Sequence, residues 1–239
     1  PGGGGIGASM ARFETKEAIF RFKHLWATDY DKDSCETYRT NISRYEKEKL
    51  KLKSNVNVIH GDINELNLED TDLFPSVNGL IFGFPCNDFS LVGESKGLKG
   101  QFGPLYKHGV RILQRKDNPD WFIAENVSGL ASANAGAAFD QICRELTESG
   151  YHLTAHKYRF EEYGIPQARH RIIIVGIADR INLRFSVPKP SGIIMTSGEA
   201  LADIPKDLTH QELTRQSQQV VDRLKHIKAG ENAWNADIP

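Results

Sequence analysis

Residues 151–177 read "YHLTAHKYRFEEYGIPQARHRIIIVGI". Two runs rich in β-branched and aromatic residues, 151–160 and 171–177, flank the short connection "EEYGIPQARH". Parallel strands need a crossover of a dozen or more residues, usually a helix, so this connection predicts an antiparallel pair. Earlier in the chain, "HLWATDY" (24–30), "VNVIH" (56–60), "NGLIFGF" (78–84) and "DWFIAEN" (120–126) also read as strands. Helical patterns at 31–41, 104–116 and 136–149 lie among them. Alternation of strand and helix implies a mostly parallel, doubly wound sheet with helices on both faces. The expectation is an α/β fold whose sheet ends in an antiparallel terminal strand pair.

The bulk numbers set limits. The chain has 239 residues, 39% hydrophobic and 26% charged, which suits one sizeable domain or one plus a fragment. With 30 basic and 31 acidic residues the net charge is -1. The global basic bias that marks many nucleic-acid binders is absent, although local basic surface is compatible with it. No apolar run approaches the ~18 residues that span a membrane, and no secretory leader is visible. Cys35, Cys86 and Cys143 are widely spaced, which is neither a disulfide framework nor a zinc pattern. A reducing, intracellular setting is the natural reading. From about Val187 the texture changes to the Pro/Gly/Ser-rich "VPKPSGIIMTSG", and "QELTRQSQQVVDRLKHIKAG" then reads as a polar helix stopped by Gly230. This divides the chain into a catalytic region, 1–186, and a linker with an incomplete further region, 187–239.

Candidate functional residues cluster at predicted strand ends. "PGGGGIG" is a Gly-rich loop of the kind that lets backbone approach a ligand, and a disordered terminus explains it as readily. In "WATDYD", Asp29 follows a strand, where doubly wound folds hold ribose hydroxyls, and Tyr30 offers a face for adenine. Asp62 in "HGDINEL" repeats the arrangement at the next strand end. Taken singly, each is explained by an exposed turn; together they suggest an adenosine-type ligand. Cys86 in "GFPCNDFS" stands just past a strand and a proline, at the sheet edge where such folds bind ligands. Free cysteines are usually buried and inert, but polar Asn87, Asp88 and Ser90 argue against an apolar niche. The Gly-rich stretch that follows reads as a mobile loop. Glu125 and Asn126 end another strand. In "GIPQARHR", Gln167, Arg169 and Arg171 alternate and so point to one face, suited to an oxygen-rich ligand or to a solvated strand entrance.

The order "GGGGIG", "TDYD", "GD", "FPCNDFS", "ENV", "QARHR" resembles the cytosine-C5 DNA methyltransferases of restriction-modification systems, over roughly residues 1–185. The resemblance implies the Rossmann-like methyltransferase fold, S-adenosylmethionine as cofactor with no metal, and double-stranded DNA as partner. It also implies a cytoplasmic, nucleoid-associated setting in a prokaryote, with no membrane. Carried over residue by residue, Cys86 would be the nucleophile that adds to C6 of a flipped-out cytosine. Glu125 would bind N3, Arg171 would hold the O2 side, and Arg169 and Gln167 would order the site. Ser90, Asn126 and Gln167 would contact the substrate. Asp29 would bind the cofactor ribose, Tyr30 would stack near its adenine, and Asp62 would take the adenine amino group. Ile63, Phe84, Pro85 and Leu105 would line the cofactor pocket, with Gly5 and Gly7 near its methionine end.

The sequence also departs from the family pattern. It opens inside the first motif, so that the preceding strand and its Phe-x-Gly are missing, and the target-recognition domain and two later motifs are not visible. A fragment, or one subunit of an enzyme completed by a second polypeptide, is therefore expected. "GQFGPLY" lacks the Asp and Arg that often precede the family's Gly-x-Leu. The competing expectations are an inactive or partial subunit that only binds cofactor, and a transfer-RNA cytosine-C5 methyltransferase.

Overall fold

The computed structural model describes residues 7, 11–84, 105–132, 136–205, 207, 215–228 and 230–237. The chain divides into two compact units, Pro1–Met195 and Thr196–Pro239.

In the first unit the strands are β1 (Arg12–Glu14), β2 (Ile19–Arg21), β3 (Trp26–Asp29), β4 (Asn57–His60), β5 (Gly79–Gly83), β6 (Trp121–Val127), β7 (Tyr151–Arg159) and β8 (His170–Ala178). The helices among them are α1 (Lys32–Glu48), α2 (Tyr106–Leu113) and α3 (Ala137–Glu148). All six strands expected from the sequence form. The main sheet runs β5-β6-β8-β7, with β5 and β6 parallel and β8 antiparallel to both of its neighbours. The short 161–170 connection therefore gives the antiparallel pair it predicted. Phe160 N donates to Arg169 O at 3.0 Å, and Gly164 takes the left-handed φ of 78° that the turn needs.

The sheet is not continuous: parallel β3 and β4 form a separate two-stranded sheet, and among the described residues no strand joins β3 to β5. The two sheets still share a core. Trp26 and Ile59 pack against the cluster built on Phe74, Leu113, Phe122, Leu130 and Tyr151. Trp26 Nε1 donates to Pro75 O at 3.0 Å, and its ring meets Phe74 edge-on at 5.2 Å. Phe122, fully buried, contributes about 2–3 kcal/mol by leaving water. Opposite it in register stands Gly176, where a Cβ would lie 2.0 Å from the Phe122 ring. Only glycine lets the two strands close over that ring.

Two further differences have plain causes. The hairpin of β1 and β2 has three exposed residues per strand, too short for periodicity to register. α1 runs past 41 to Glu48 because its buried face, Cys35, Tyr38, Ile42 and Glu46, continues; a charged residue at a core position hides that continuation. Asp31 caps this helix, its side chain accepting from Ser34 N at 2.7 Å; hydrogen bonding from the Ser34 side chain first, and from its main chain second, holds the Asp31 carboxyl below the usual range.

Residues 187–191, expected as linker, are tied to the first unit together with Phe185 just before them. Thr154 Oγ1 donates to Phe185 O, Tyr163 Oη to Pro188 O, and Ser191 N to Glu162 O. The second unit holds α4 (Ser197–Leu201), which the sequence did not suggest, and α5 (Gln218–Lys225), shorter than the polar helix expected over 211–230, since 215–217 and 226–228 are described and not helical. Neither helix buries a residue, and Trp234 is 94% exposed. Among the described residues no helix is long and apolar enough to cross a membrane.

Candidate active site

Parallel strands bring their carboxyl ends to one edge, and register fixes which residues meet there. In the main sheet Gly83, the last residue of β5, lies beside Glu125 of β6, and a Cβ on Gly83 would sit 3.7 Å from Glu125 Oε2. β8, antiparallel, begins at this same edge and pairs Arg171 with Val127. The result is a tight pair: Arg171 Nε donates to Glu125 Oε1 at 2.8 Å. A second donor, Arg171 NH1, is taken by His170 O at 2.8 Å, so the guanidinium is held at two points. Arg169 NH2 stands 4.0 Å from the same Glu125 Oε1. The two arginines thus converge on one carboxylate, whereas the period-two spacing put Gln167 on the same face as both. Gln167 is exposed in the preceding turn, where its N–H donates to Ile165 O at 2.8 Å, and no contact brings it to Glu125.

Alternation sends Asn126 the other way. It is 3% exposed, its Nδ2 donates to Phe84 O at 3.1 Å, and its Oδ1 accepts from Val127 N at 2.8 Å. Asn126 therefore pins the backbone at Phe84, two residues before Cys86. Phe84 itself is buried, its ring 6.0 Å from that of Tyr106 on α2. Gly5, Pro85, Cys86, Ser90 and the loop at 87–103 lie outside the described residues. Gly7 is exposed and a Cβ there would meet nothing.

The second sheet supplies a second set of groups at its own carboxyl edge. Asp29 ends β3 in register with His60 of β4. Its Oδ1 accepts from Asp31 N at 3.0 Å, and its carbonyl accepts from Gly61 N at 3.0 Å. His60 Nε2 meets Tyr30 O at 3.0 Å, while the Tyr30 ring is 79% exposed. Asp62 is exposed in the turn after β4, and its Oδ1 accepts from both N and Nδ2 of Asn64 at 2.9 Å. Among the described residues its other oxygen has no hydrogen-bond partner. Ile63 packs on the main core, and Leu105 is half-buried at the start of α2. One turn on, His108 Nε2 reaches Asn64 Oδ1 at 3.0 Å. The sequence reading missed Asn64 and His108; the signal was there in His108, three residues after Leu105 on one helix face.

Two carboxylates at neighbouring strand ends, Asp29 half-buried and Asp62 exposed, beside an open aromatic face, suit the hydroxyl and amino donors of an adenosine-type cofactor. The second oxygen of Asp62, without a hydrogen-bond partner among the described residues, is the observation in favour of that fit. The Glu125–Arg171 pair can hold a planar amide-like ring edge that needs a donor and an acceptor side by side. Among the described residues no group of three or more His, Cys, Asp or Glu side chains could hold a metal ion.

A family model described as C-5 cytosine-specific DNA methylase matches residues 2–239. The Type II methyltransferase M.BbvI of Brevibacillus brevis is 47% identical over 248 residues, a match covering 100% of this chain and 64% of the relative. M.NgoFVII of Neisseria gonorrhoeae, also a Type II methyltransferase, is 34% identical over 224 residues, covering 90% of this chain and 56% of its own. This chain therefore spans less than two thirds of either relative. Among solved structures, a variant of Spodoptera frugiperda DNMT2 superposes with a TM-score of 0.58 at 16% identity, covering 85% of this chain and 58% of that one. That likeness establishes the α/β methyltransferase fold.

Proposed function

We propose that this chain, which belongs to the C-5 cytosine-specific DNA methylase family, carries the catalytic groups of a restriction-modification enzyme that methylates C5 of cytosine in double-stranded DNA. The observation that supports this most directly is the Glu125–Arg171 pair, 2.8 Å apart at the edge where the chain runs on from Phe84 to Cys86. Both partners are partly exposed, so the pair adds ~1 kcal/mol or less to stability. Its value is in orientation.

C5 of cytosine is a poor nucleophile because the ring is aromatic. Addition of the Cys86 thiolate to C6 forms an S–C6 bond and gives C5 enamine character. Glu125, through the Oε2 that Arg171 does not engage, would donate a proton to N3 during the addition and take it back when Cys86 leaves, and the remaining guanidinium N–H groups of Arg171 would meet O2. Both stabilise charge that develops during the addition. Asp29 would hold the ribose and Asp62 the adenine amino group of S-adenosylmethionine, which would supply the methyl group. After C5 has accepted it, a base removes the C5 proton. The S–C6 bond breaks, and the Cys86 thiolate and the aromatic ring are restored. The target is inaccessible inside a duplex, so flipping it out costs a few kcal/mol, about the price of one unstacked base. A DNA substrate puts the enzyme at the nucleoid in a prokaryotic cytoplasm.

The test is transfer of a labelled methyl group from S-adenosylmethionine to DNA by the intact protein that carries this chain. Digestion to nucleosides should give label only in 5-methylcytosine. Label in N4-methylcytosine or N6-methyladenine, or in RNA alone, would refute the reading. The coverage of the relatives favours a second reading, in which activity also needs residues beyond these, on the same chain or on a second polypeptide. Full sequence-specific methylation by residues 1–239 alone would exclude it.

A further inference from the structure

We propose that His108 is a positioning residue for the cofactor: it locks Asn64, and Asn64 in turn locks the carboxylate of Asp62. This rests on the reading that Asp62 meets the adenine amino group. The hydrogen bonds assign their own polarity. Asn64 Nδ2 lies 2.9 Å from Asp62 Oδ1, and a carboxylate only accepts, so the amide must present its N–H groups there. Asn64 Oδ1 is then the atom that faces His108 Nε2 at 3.0 Å, and an amide oxygen only accepts. His108 must therefore donate from Nε2. Its Nδ1 is buried without a partner, which suits a neutral ring protonated on Nε2 alone. Burial foremost, and the nearby Arg111 charge, hold its pKa below the ordinary histidine value, in keeping with that neutral form.

The chain of bonds has a direction and an end. His108 Nε2–H fixes the Asn64 amide, and this amide and the Asn64 main-chain N–H both donate to Asp62 Oδ1. With Oδ1 taken twice, the Asp62 carboxylate is held in one rotamer and presents its other oxygen to the ligand. The same bond ties the turn after β4 to α2, which Leu105 caps at its N-terminus. Two walls of the cofactor site, Asp62–Ile63 and Leu105, are thereby held in register. No metal or charge transfer is involved, so His108 acts through Asn64 and not on the reacting atoms.

The experiment measures binding of S-adenosylhomocysteine by calorimetry, and methyl transfer, with the intact protein. Removing one hydrogen bond worth ~1 kcal/mol predicts that His108→Leu weakens binding about fivefold. KM for S-adenosylmethionine should rise by the same factor, with kcat at saturation kept. His108→Gln, whose amide donates from the same position, should bind nearly as the native protein does. Asn64→Ala should weaken binding alike, and adding His108→Leu to it should cost nothing more. Additive losses, a His108→Gln as impaired as His108→Leu, or a fall in kcat with KM unmoved would overturn the proposal. Asp62→Ala separates the two levels. If it weakens binding while His108→Leu does not, only the His108 proposal falls. If it leaves binding intact, the Asp62 reading falls, and the proposal with it.

Discussion

Glu125 and Asp29 both stand where parallel strands end, yet very different amounts of protein hold them. Glu125 leaves a strand that alternates buried and half-buried residues between two neighbours, over Phe122, Ala124 and Leu130, each at most 1% exposed. Its partner Arg171 comes from the adjacent strand and is fixed at two donors. Asp29 ends a four-residue strand with a single neighbour and a small core of Ala27, Cys35, Tyr38, Ile42 and Val58. Around Asp29 and Asp62 the bonds to the carboxylates include local turns, Asp31 N to Asp29 and Asn64 to Asp62, and the second is backed by His108 from α2. The groups proposed to bind the base are set by the packed sheet, and those proposed to bind the cofactor lean more on turn hydrogen bonds at the surface. Geometry on the first side should be all-or-none, and on the second side tunable.

The largest expected effect breaks the first side alone. Glu125→Gln should slow methyl transfer about a hundred- to a thousandfold, as loss of one preorganised electrostatic group does. Affinity for S-adenosylhomocysteine should not change; an equal loss of both would mean that the two sides form one unit. Asp29→Ala should do the converse. Loss of hydrogen bonds to a charged acceptor, about 1.5–3 kcal/mol, predicts ten- to hundredfold weaker cofactor binding, with kcat kept at saturation.

Stability should show the same asymmetry. Asn126→Ala leaves the buried Phe84 carbonyl and Val127 N–H without their partner, and should cost about 1–3 kcal/mol in urea unfolding. Asn64→Ala, on an exposed turn, should stay within about 0.5 kcal/mol. Equal costs would erase the distinction between the two sides.

The smallest effect is in pH dependence. His24 is half-buried against Tyr38 Oη at 2.5 Å, and burial lowers its pKa from 6.5, with Glu46 opposing. The unfolded chain then binds the proton more readily than the folded one. This stability is full above 6.5 and is lost as pH falls through the lowered folded value. His108 acts with the same sign, so His24→Phe should flatten the decline in urea midpoint between about pH 7 and pH 5 only in part. No change in slope would remove His24 from the account.

Much of this was legible in the sequence, for identifiable reasons. Period-two alternation is a local property, so the strands, the antiparallel end of the sheet and the shared face of Arg169 and Arg171 could be read from short windows. Alternation also says that Asn126 faces away from Glu125. That it bonds Phe84 depends on β5, more than 40 residues earlier, a distance that no local pattern carries. The gap between β3 and β5 is of the same kind, since strand adjacency is a property of the whole sheet. His108 was missed because its partner lies 44 residues away, although its spacing from Leu105 was in plain view.

The central claim is that the edge built by Glu125 and Arg171 serves covalent chemistry at Cys86. It is tested most directly by incubating the intact protein with S-adenosylmethionine and duplex DNA that carries 5-fluorocytosine at its methylation site. Fluorine at C5 cannot leave as a proton does, so the adduct is trapped after methyl transfer. The account predicts a complex that survives denaturation in the native protein and is absent in Cys86→Ser. No such complex in the native protein, or one that persists undiminished in Cys86→Ser, would contradict it.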